Sequence, residues 1–211
     1  AVKEMINSSI RTVDYDSGWT NSIEVATRRA LMTGITQVTN TINEMNAKVL
    51  ETDYFEVSWH ATARPSHQKW QGRVYSLEEL KTICGLGEIT GLCGANCYHS
   101  YFPFIPGISV RTYTDEQLDL MNAKENELRV YNSKEYTSYE ATQRQRELET
   151  LMRKRRKEIK LLKQGNASIE DIQNVQAKYR ETMRQYTDFS KKMGLPQQKE
   201  RIYSDGLKRV G

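Results

Sequence analysis

The chain has 211 residues, 37% of them hydrophobic and 27% charged, with a formal net charge of +4. That length holds one domain of ordinary size plus an appendage, and the polarity is too high for one uniformly compact ball, so part of the chain is expected as extended helix. No apolar run approaches the roughly 18 to 20 residues of a membrane-spanning helix, and the opening AVKEMINSSI lacks the basic start and apolar centre of a secretory signal, which argues for a soluble chain not exported by that route.

The segment IRTVDYDSGW alternates in character and carries turn residues at Asp16-Ser17-Gly18, which predicts a short strand or arm. A helix is expected from Asn21, whose side chain can cap free amides while Glu24 completes a capping box. Its apolar residues Leu31, Ile35, Val38, Ile42, Met45 and Val49 alternate spacings of four and three, which predicts a stripe to be buried, with Gly34 as a point for a kink. From Tyr54 to Ile108 helical period disappears: FEVSWHAT and WQGRVYS read as strands, Cys84 to Gly94 as glycine-punctuated loop, and SYFPFIPG as the close of the region.

After Thr114 the chain turns helical and polar again, through DEQLDLMNAKENEL and a long segment from about Lys134 to Lys163. Gly165-Asn166 separates this from a last helix, capped by Ser168 with Asp171 three residues on and stopped by Gly194 ahead of Pro196. Leu148, Leu151, Met152, Ile159 and Leu162 face Ile172, Val175, Tyr179, Met183, Tyr186, Phe189 and Met193 in an expected antiparallel hairpin. Arg153 to Lys163 holds seven Lys or Arg and only Glu158 as an acid, so Arg153, Lys154, Arg155, Arg156, Lys157 and Lys160 are candidate phosphate contacts. Consecutive cations point around most of a helix, so not all can face one partner, and such a block is more often a solvated face.

All three histidines, His60, His67 and His99, and all three cysteines, Cys84, Cys93 and Cys97, fall in the central region. An odd cysteine number packed this closely does not suit a secreted disulfide framework and fits a reducing cytoplasm. Cys97 and His99, with His67 and either His60 or Cys93, are the types that close a four-coordinate zinc site. Their spacing is irregular, and the residue types alone favour a metal-free reading with histidines bonded to loop backbone and cysteines as small buried groups. A second chemistry is metal-independent hydrolysis of RNA, with His60 and His67 as acid and base and Arg64 stabilising phosphorane charge. No P-loop, dinucleotide fingerprint or GxSxG elbow is present.

The segments VSWHATARPSHQKWQGRVYS and GLCGANCYHSYFPF, with the later YEATQRQRELETLMRKRRK, resemble the phage minor capsid protein 2 family of tailed phages. The resemblance runs from the helix with Ala26-Thr27-Arg28-Arg29 to about Gly194. Family members carry a helical region of comparable size ahead of it, so the chain is expected to be a fragment of a longer protein. A fainter similarity reaches the MuF-type head morphogenesis proteins. There Arg28 or Arg29 matches an early helix arginine and Trp59 a strand tryptophan. Arg64-Pro65-Ser66-His67 falls where CPxC would be, Trp70-Gln71-Gly72 where an LDG-like turn would be, and Gly94 to His99 where HPNCRC would be. That likeness keeps ligand types at His67, Cys97 and His99; the first position is Arg64, which cannot bind metal, so zinc would need His60 or Cys93.

The expected fold is therefore α+β: a small central β and loop-rich domain with an N-terminal helix, and a long C-terminal helical hairpin. Its divisions are a MuF-like domain at 1–112, a helical region at 113–194 and an arm at 195–211. The resemblance implies a structural minor component inside the phage head, associated with the portal, close to packaged DNA and present in the host cytoplasm during assembly. The alternative is a phage-delivered nuclease or toxin-like effector built on His60, Arg64 and His67.

Overall fold

A computed structural model describes residues 12–14, 18 and 20–203. The described residues divide into two compact units, one up to Glu125 and one from Asn126 onward. The fold is α+β.

In the first unit β1 (Thr12–Asp14) pairs antiparallel with β2 (Thr20–Ser22), Val13 standing opposite Asn21. Asp16 and Ser17 of the expected turn, and the side chains of the expected Asn21–Glu24 capping box, lie outside what is described. Helix α1 (Ile23–Val49) then runs through Gly34 without interruption.

The apolar stripe of α1 is not buried. Exposure runs from 51% at Ile42 to 82% at Val49, with Leu31, Ile35, Val38 and Met45 between, whereas Asn40, Asn43 and Ala47 are buried. The expectation of burial is corrected here, and the reason is polar. The Asn43 side chain donates to the carbonyl of Tyr101 at 2.7 Å, and the Tyr101 hydroxyl donates to Glu44 at 2.6 Å, so the helix docks through hydrogen bonds on its polar side.

A three-stranded antiparallel sheet follows, with β3 (Tyr54–Val57) in the middle, β4 (Val74–Ser76) on one side and β5 (Tyr101–Phe104) on the other. Strand β3 stops at Val57, short of the expected FEVSWHAT, and the chain turns through a left-handed Thr62. Alternation buries Phe55 and Val57, and the Phe55 and Tyr101 rings meet edge to face at 5.3 Å. Two short helices interrupt the loops: α2 (Pro65–Gln68), begun by proline, and α3 (Leu77–Thr82), begun by a Ser76–Glu79 capping box. Leu80 of α3 joins Phe55, Val57, Trp70, Cys84, Leu92, Cys93 and Tyr101 in one core. Helix α4 (Asp115–Glu125) ends the unit.

The second unit opens with a hairpin of β6 (Arg129–Tyr131) and β7 (Lys134–Tyr136), part of which falls in the stretch read as helical from about Lys134. Asn132 and Ser133 are both left-handed, the two-residue turn whose twist suits antiparallel strands. Thr137 and Glu140 form a capping box that starts α5 (Ser138–Gln164), and Ser168 caps α6 (Ile169–Met193), which ends on a left-handed Gly194. Gln145 bonds Ser190 and Tyr186 bonds Glu149, so the two helices run antiparallel. Leu148, Met152, Ile159, Leu162, Val175, Tyr179, Tyr186, Phe189 and Met193 form their core. Within 195–211, expected as an arm, α7 (Lys199–Tyr203) buries Ile202 completely.

Candidate metal centre and basic helix face

Residues from two segments converge beside the three-stranded sheet. His67 comes from α2, fixed there by Pro65 at the first helical turn, and Cys97 and His99 come from the loop that leads into β5. His67 and His99 are only 2% and 3% exposed. Their Nδ1 atoms are 3.5 Å apart, and Cys97 Sγ lies 3.8 Å from His67 Nδ1 and 3.4 Å from His99 Nδ1. With bonds of about 2.0–2.1 Å to nitrogen and about 2.3 Å to sulfur, donors around a tetrahedral zinc stand roughly 3.3 to 3.6 Å apart. Two sides of the triangle fall within that range, and the third, Cys97 to His67 at 3.8 Å, is slightly longer.

The second nitrogen of each ring fixes the tautomer. His67 Nε2 lies 2.9 Å from the Thr90 carbonyl and His99 Nε2 lies 2.9 Å from Gln71 Oε1. Gln71 Oε1 also accepts from the His60 backbone N–H at 3.0 Å, which establishes it as the oxygen of that amide. Both imidazoles therefore donate from Nε2, and both Nδ1 lone pairs point at each other and at the thiol. Outer partners of this type orient the histidines of metal sites. Burial lowers the pKa of His67 and takes that of His99 down to about 3, helped at His99 by the charges of His60, His67 and Arg64, so both rings are neutral ligand forms near pH 7. Burial raises the Cys97 thiol, opposed by backbone hydrogen bonds and by the Arg64 charge.

The surrounding loops are built tightly. Gly91 sits where a Cβ would stand 2.0 Å from the Gly85 carbonyl oxygen, and this close crossing carries Thr90 to His67. Arg64 donates to the Ala95 carbonyl at 2.8 Å and to the Thr90 carbonyl at 3.5 Å. Asn122 of α4 accepts from Gln71 and Trp59 and donates to the Gln68 carbonyl, which joins the helix to the site. Cys93 and Asn96 both hold left-handed backbone at this loop. Sequence reasoning placed Gln71 only within the Trp70-Gln71-Gly72 turn and assigned no role to Thr90 or Asn122; Asn122 acts through its amide and Thr90 through a backbone carbonyl, which leave no motif.

The fourth candidate ligands lie beside the triangle but outside it, the His60 ring meeting that of His99 at 5.0 Å. His60 Nε2 lies 3.0 Å from Ser58 Oγ, Cys93 donates to the His99 carbonyl at 3.3 Å, and neither joins the His67–Cys97–His99 group. His60, Arg64 and His67 do gather in one region, but as mutual packing and loop bonding: His67 is buried and Arg64 is engaged with two carbonyls.

The candidate phosphate contacts of α5 separate by direction. Arg156 is 1% exposed, lies over the Tyr203 ring at 4.8 Å and hydrogen-bonds Tyr179, so it is corrected from a surface cation to a core residue. Arg155 bonds the Lys178 carbonyl and Thr182, and Arg153 bonds the Arg201 carbonyl and Thr150, both at 2.8 Å. Lys154, Lys157 and Lys160 remain exposed, spaced by three along one side of the helix.

Compared with known families, residues 1–191 match phage minor capsid protein 2. The chain belongs to that family. It is thus a structural component of phage virions whose partners are phage head proteins. No curated protein and no solved structure matches it. In this minor capsid protein, among the described residues, no helix is long and apolar enough to cross a membrane. The positions that carry the MuF-like resemblance have distinct places: Trp59 and Gln71 meet at Asn122, while Arg64 ties down the loop that bears Cys97.

Proposed function

We propose that this minor capsid protein is a portal-associated head component whose first unit is clasped by a structural zinc ion at His67, Cys97 and His99. The single observation that supports the clasp is the pair of buried imidazoles with facing Nδ1 lone pairs beside a thiol. The single Cys97 S–H can satisfy only one of these lone pairs, so the other is left facing it unless a cation lies between them, and desolvation discourages a proton from doing so. Zinc would convert Cys97 to its thiolate, and His60, Cys93 or a water molecule would complete the shell. The Arg64 charge nearby opposes the dication, and the thiolate offsets part of that.

In the same reading, Lys154, Lys157 and Lys160 face packaged DNA and contact phosphates without regard to sequence. The protein would pass through the host cytoplasm during assembly before it is enclosed in the head. The experiment is elemental analysis of the purified protein with melts before and after chelation. About one zinc per chain and a melting temperature lowered by about 10 °C or more on chelation are expected; metal-free protein with an unchanged melt would refute the clasp. For the DNA contact, replacing the three lysines by glutamine should reduce the slope of log affinity against log salt by about 3, and an unchanged slope would remove that face from the proposal. Capture of the phage's portal protein by the purified chain tests the remaining part.

A further inference from the structure

The outward face of α1 has the pattern of a coiled-coil seam. Assigning Ile35, Ile42 and Val49 to position a places Leu31, Val38 and Met45 at position d, an unbroken alternation of three and four. All six are more than half exposed. The a residues are β-branched, the choice that favours two parallel strands when leucine-like residues occupy d, as Leu31 and Met45 do; Val38, the third d residue, is β-branched and adds nothing to that preference. Arg28 at the preceding a position marks the N-terminal limit of the seam.

The rest of the heptad divides consistently. Position f, opposite the seam, holds Thr33, Asn40 and Ala47, and Asn40 and Ala47 are 5% and 2% exposed because they face the domain. Asn43 at b and Glu44 at c make the hydrogen bonds to Tyr101. The domain therefore lies behind its own helix and leaves the seam open to a partner. Positions e and g, which flank the seam, hold Met32, Thr39 and Asn46 and Gly34, Thr41 and Lys48. In a parallel pair g meets e of the other copy, so Gly34 meets Thr39, and Thr41 meets Asn46, with no like charges opposed.

We propose that α1 is a self-association helix: two copies of this chain pair in parallel and in register through Leu31, Ile35, Val38, Ile42, Met45 and Val49. The exposed apolar area of these six side chains is on the order of 600 Å² per copy, close to the roughly 800 Å² that each partner buries in a standard interface once the flanking e and g residues are added. A seam of fewer than three heptads is marginal for an isolated peptide, but α1 is already held helical by its polar docking, so pairing does not bear the cost of forming the helix. This inference uses none of the metal-site residues and stands or falls apart from the zinc clasp.

Sedimentation velocity across a concentration series of the whole chain tests it, together with the double variant Ile35→Lys, Ile42→Lys and the single variant Val38→Cys. The expected result is a concentration-dependent monomer–dimer equilibrium that the lysine pair weakens at least tenfold. Both isoleucines are half exposed within one chain, so the thermal melt measured at a concentration where the wild type is monomeric should be unchanged, which separates lost pairing from lost folding. Val38→Cys should form an oxidised dimer under conditions in which the wild type does not, because equivalent d residues face each other only in a parallel, in-register pair. A monomer at every concentration, or a dimer indifferent to the lysine pair, would overturn the proposal, and failure of Val38→Cys to cross-link would overturn its parallel register.

Discussion

His67 and His99 face each other through Nδ1 atoms 3.5 Å apart while each commits its Nε2 hydrogen to a carbonyl oxygen, of Thr90 and of Gln71. The protein thus sets the tautomer of both rings from behind. Gln71→Ala removes the acceptor for His99 and for the His60 backbone N–H, and should weaken zinc affinity by about 10- to 100-fold, the usual effect of losing an outer partner. Competition titration with a chromophoric chelator measures this. Gln71→Glu, which keeps an acceptor oxygen, should retain most of the affinity; equal loss in both variants would show that the amide N–H donated to Asn122, and not the acceptor oxygen, holds the site.

A second expectation concerns the loop crossing. At Gly91 any side chain would press against the Gly85 backbone, which cannot yield as a flexible side chain would. Gly91→Ala should therefore shift the Thr90 carbonyl away from His67 and destabilise the first unit by about 2 kcal/mol or more. Urea unfolding followed by tryptophan fluorescence reads the stability through Trp70, which packs against the His67 ring at 4.4 Å. A wild-type midpoint in the variant would contradict the close crossing.

Glu149 gives a pH signature in the hairpin. It is 2% exposed and accepts from the Tyr186 hydroxyl at 3.3 Å, and burial raises its pKa above the ordinary 4.5, against the lowering effect of Arg201 and other cations. A raised folded pKa means that its contribution is fully present below pH 4.5 and is lost as pH rises through the folded value. Glu149→Gln removes that loss, so it should be more stable than the wild type at pH 7 to 8 and should lose its advantage below pH 4.5. Thermal melts at the two pH values decide it; a variant less stable at both would mean that the carboxylate is required by its cations.

The hairpin core offers a paired comparison. Ile159 is completely buried, whereas Leu151, from the same predicted stripe, is 37% exposed. Ile159→Ala should cost about 2 to 5 kcal/mol and Leu151→Ala less than about 1.5. Chemical denaturation of both variants measures the difference, and comparable costs would mean that Leu151 is covered by something outside this chain.

Much of the hairpin was legible because its signals are local. Ser168, Gly165-Asn166 and Gly194 act within a turn of where they stand, and the stripe of α6 is buried nearly as spaced. The Ser76–Glu79 and Thr137–Glu140 boxes were equally local and equally readable as S-x-x-E and T-x-x-E, though their side chains had not been singled out. Even Arg156 left a trace, since it follows Met152 by four and precedes Ile159 by three, which places it on the buried stripe and not on the basic face.

The sequence by itself determined the α+β class, the family, both ends of α6 and the set of residue types able to bind metal, because each of these depends on neighbours in the chain or on residue chemistry. Only the tertiary structure decided which face of α1 is covered, since hydrogen bonds between Asn43 and Tyr101, fifty-eight positions apart, dock its polar side and leave the apolar stripe exposed among the described residues. It also decided which histidines meet. Spacing along the sequence cannot say that His67 and His99 converge and His60 turns to Ser58, because that depends on how loops cross at Gly85 and Gly91 and on carbonyls that any residue could supply.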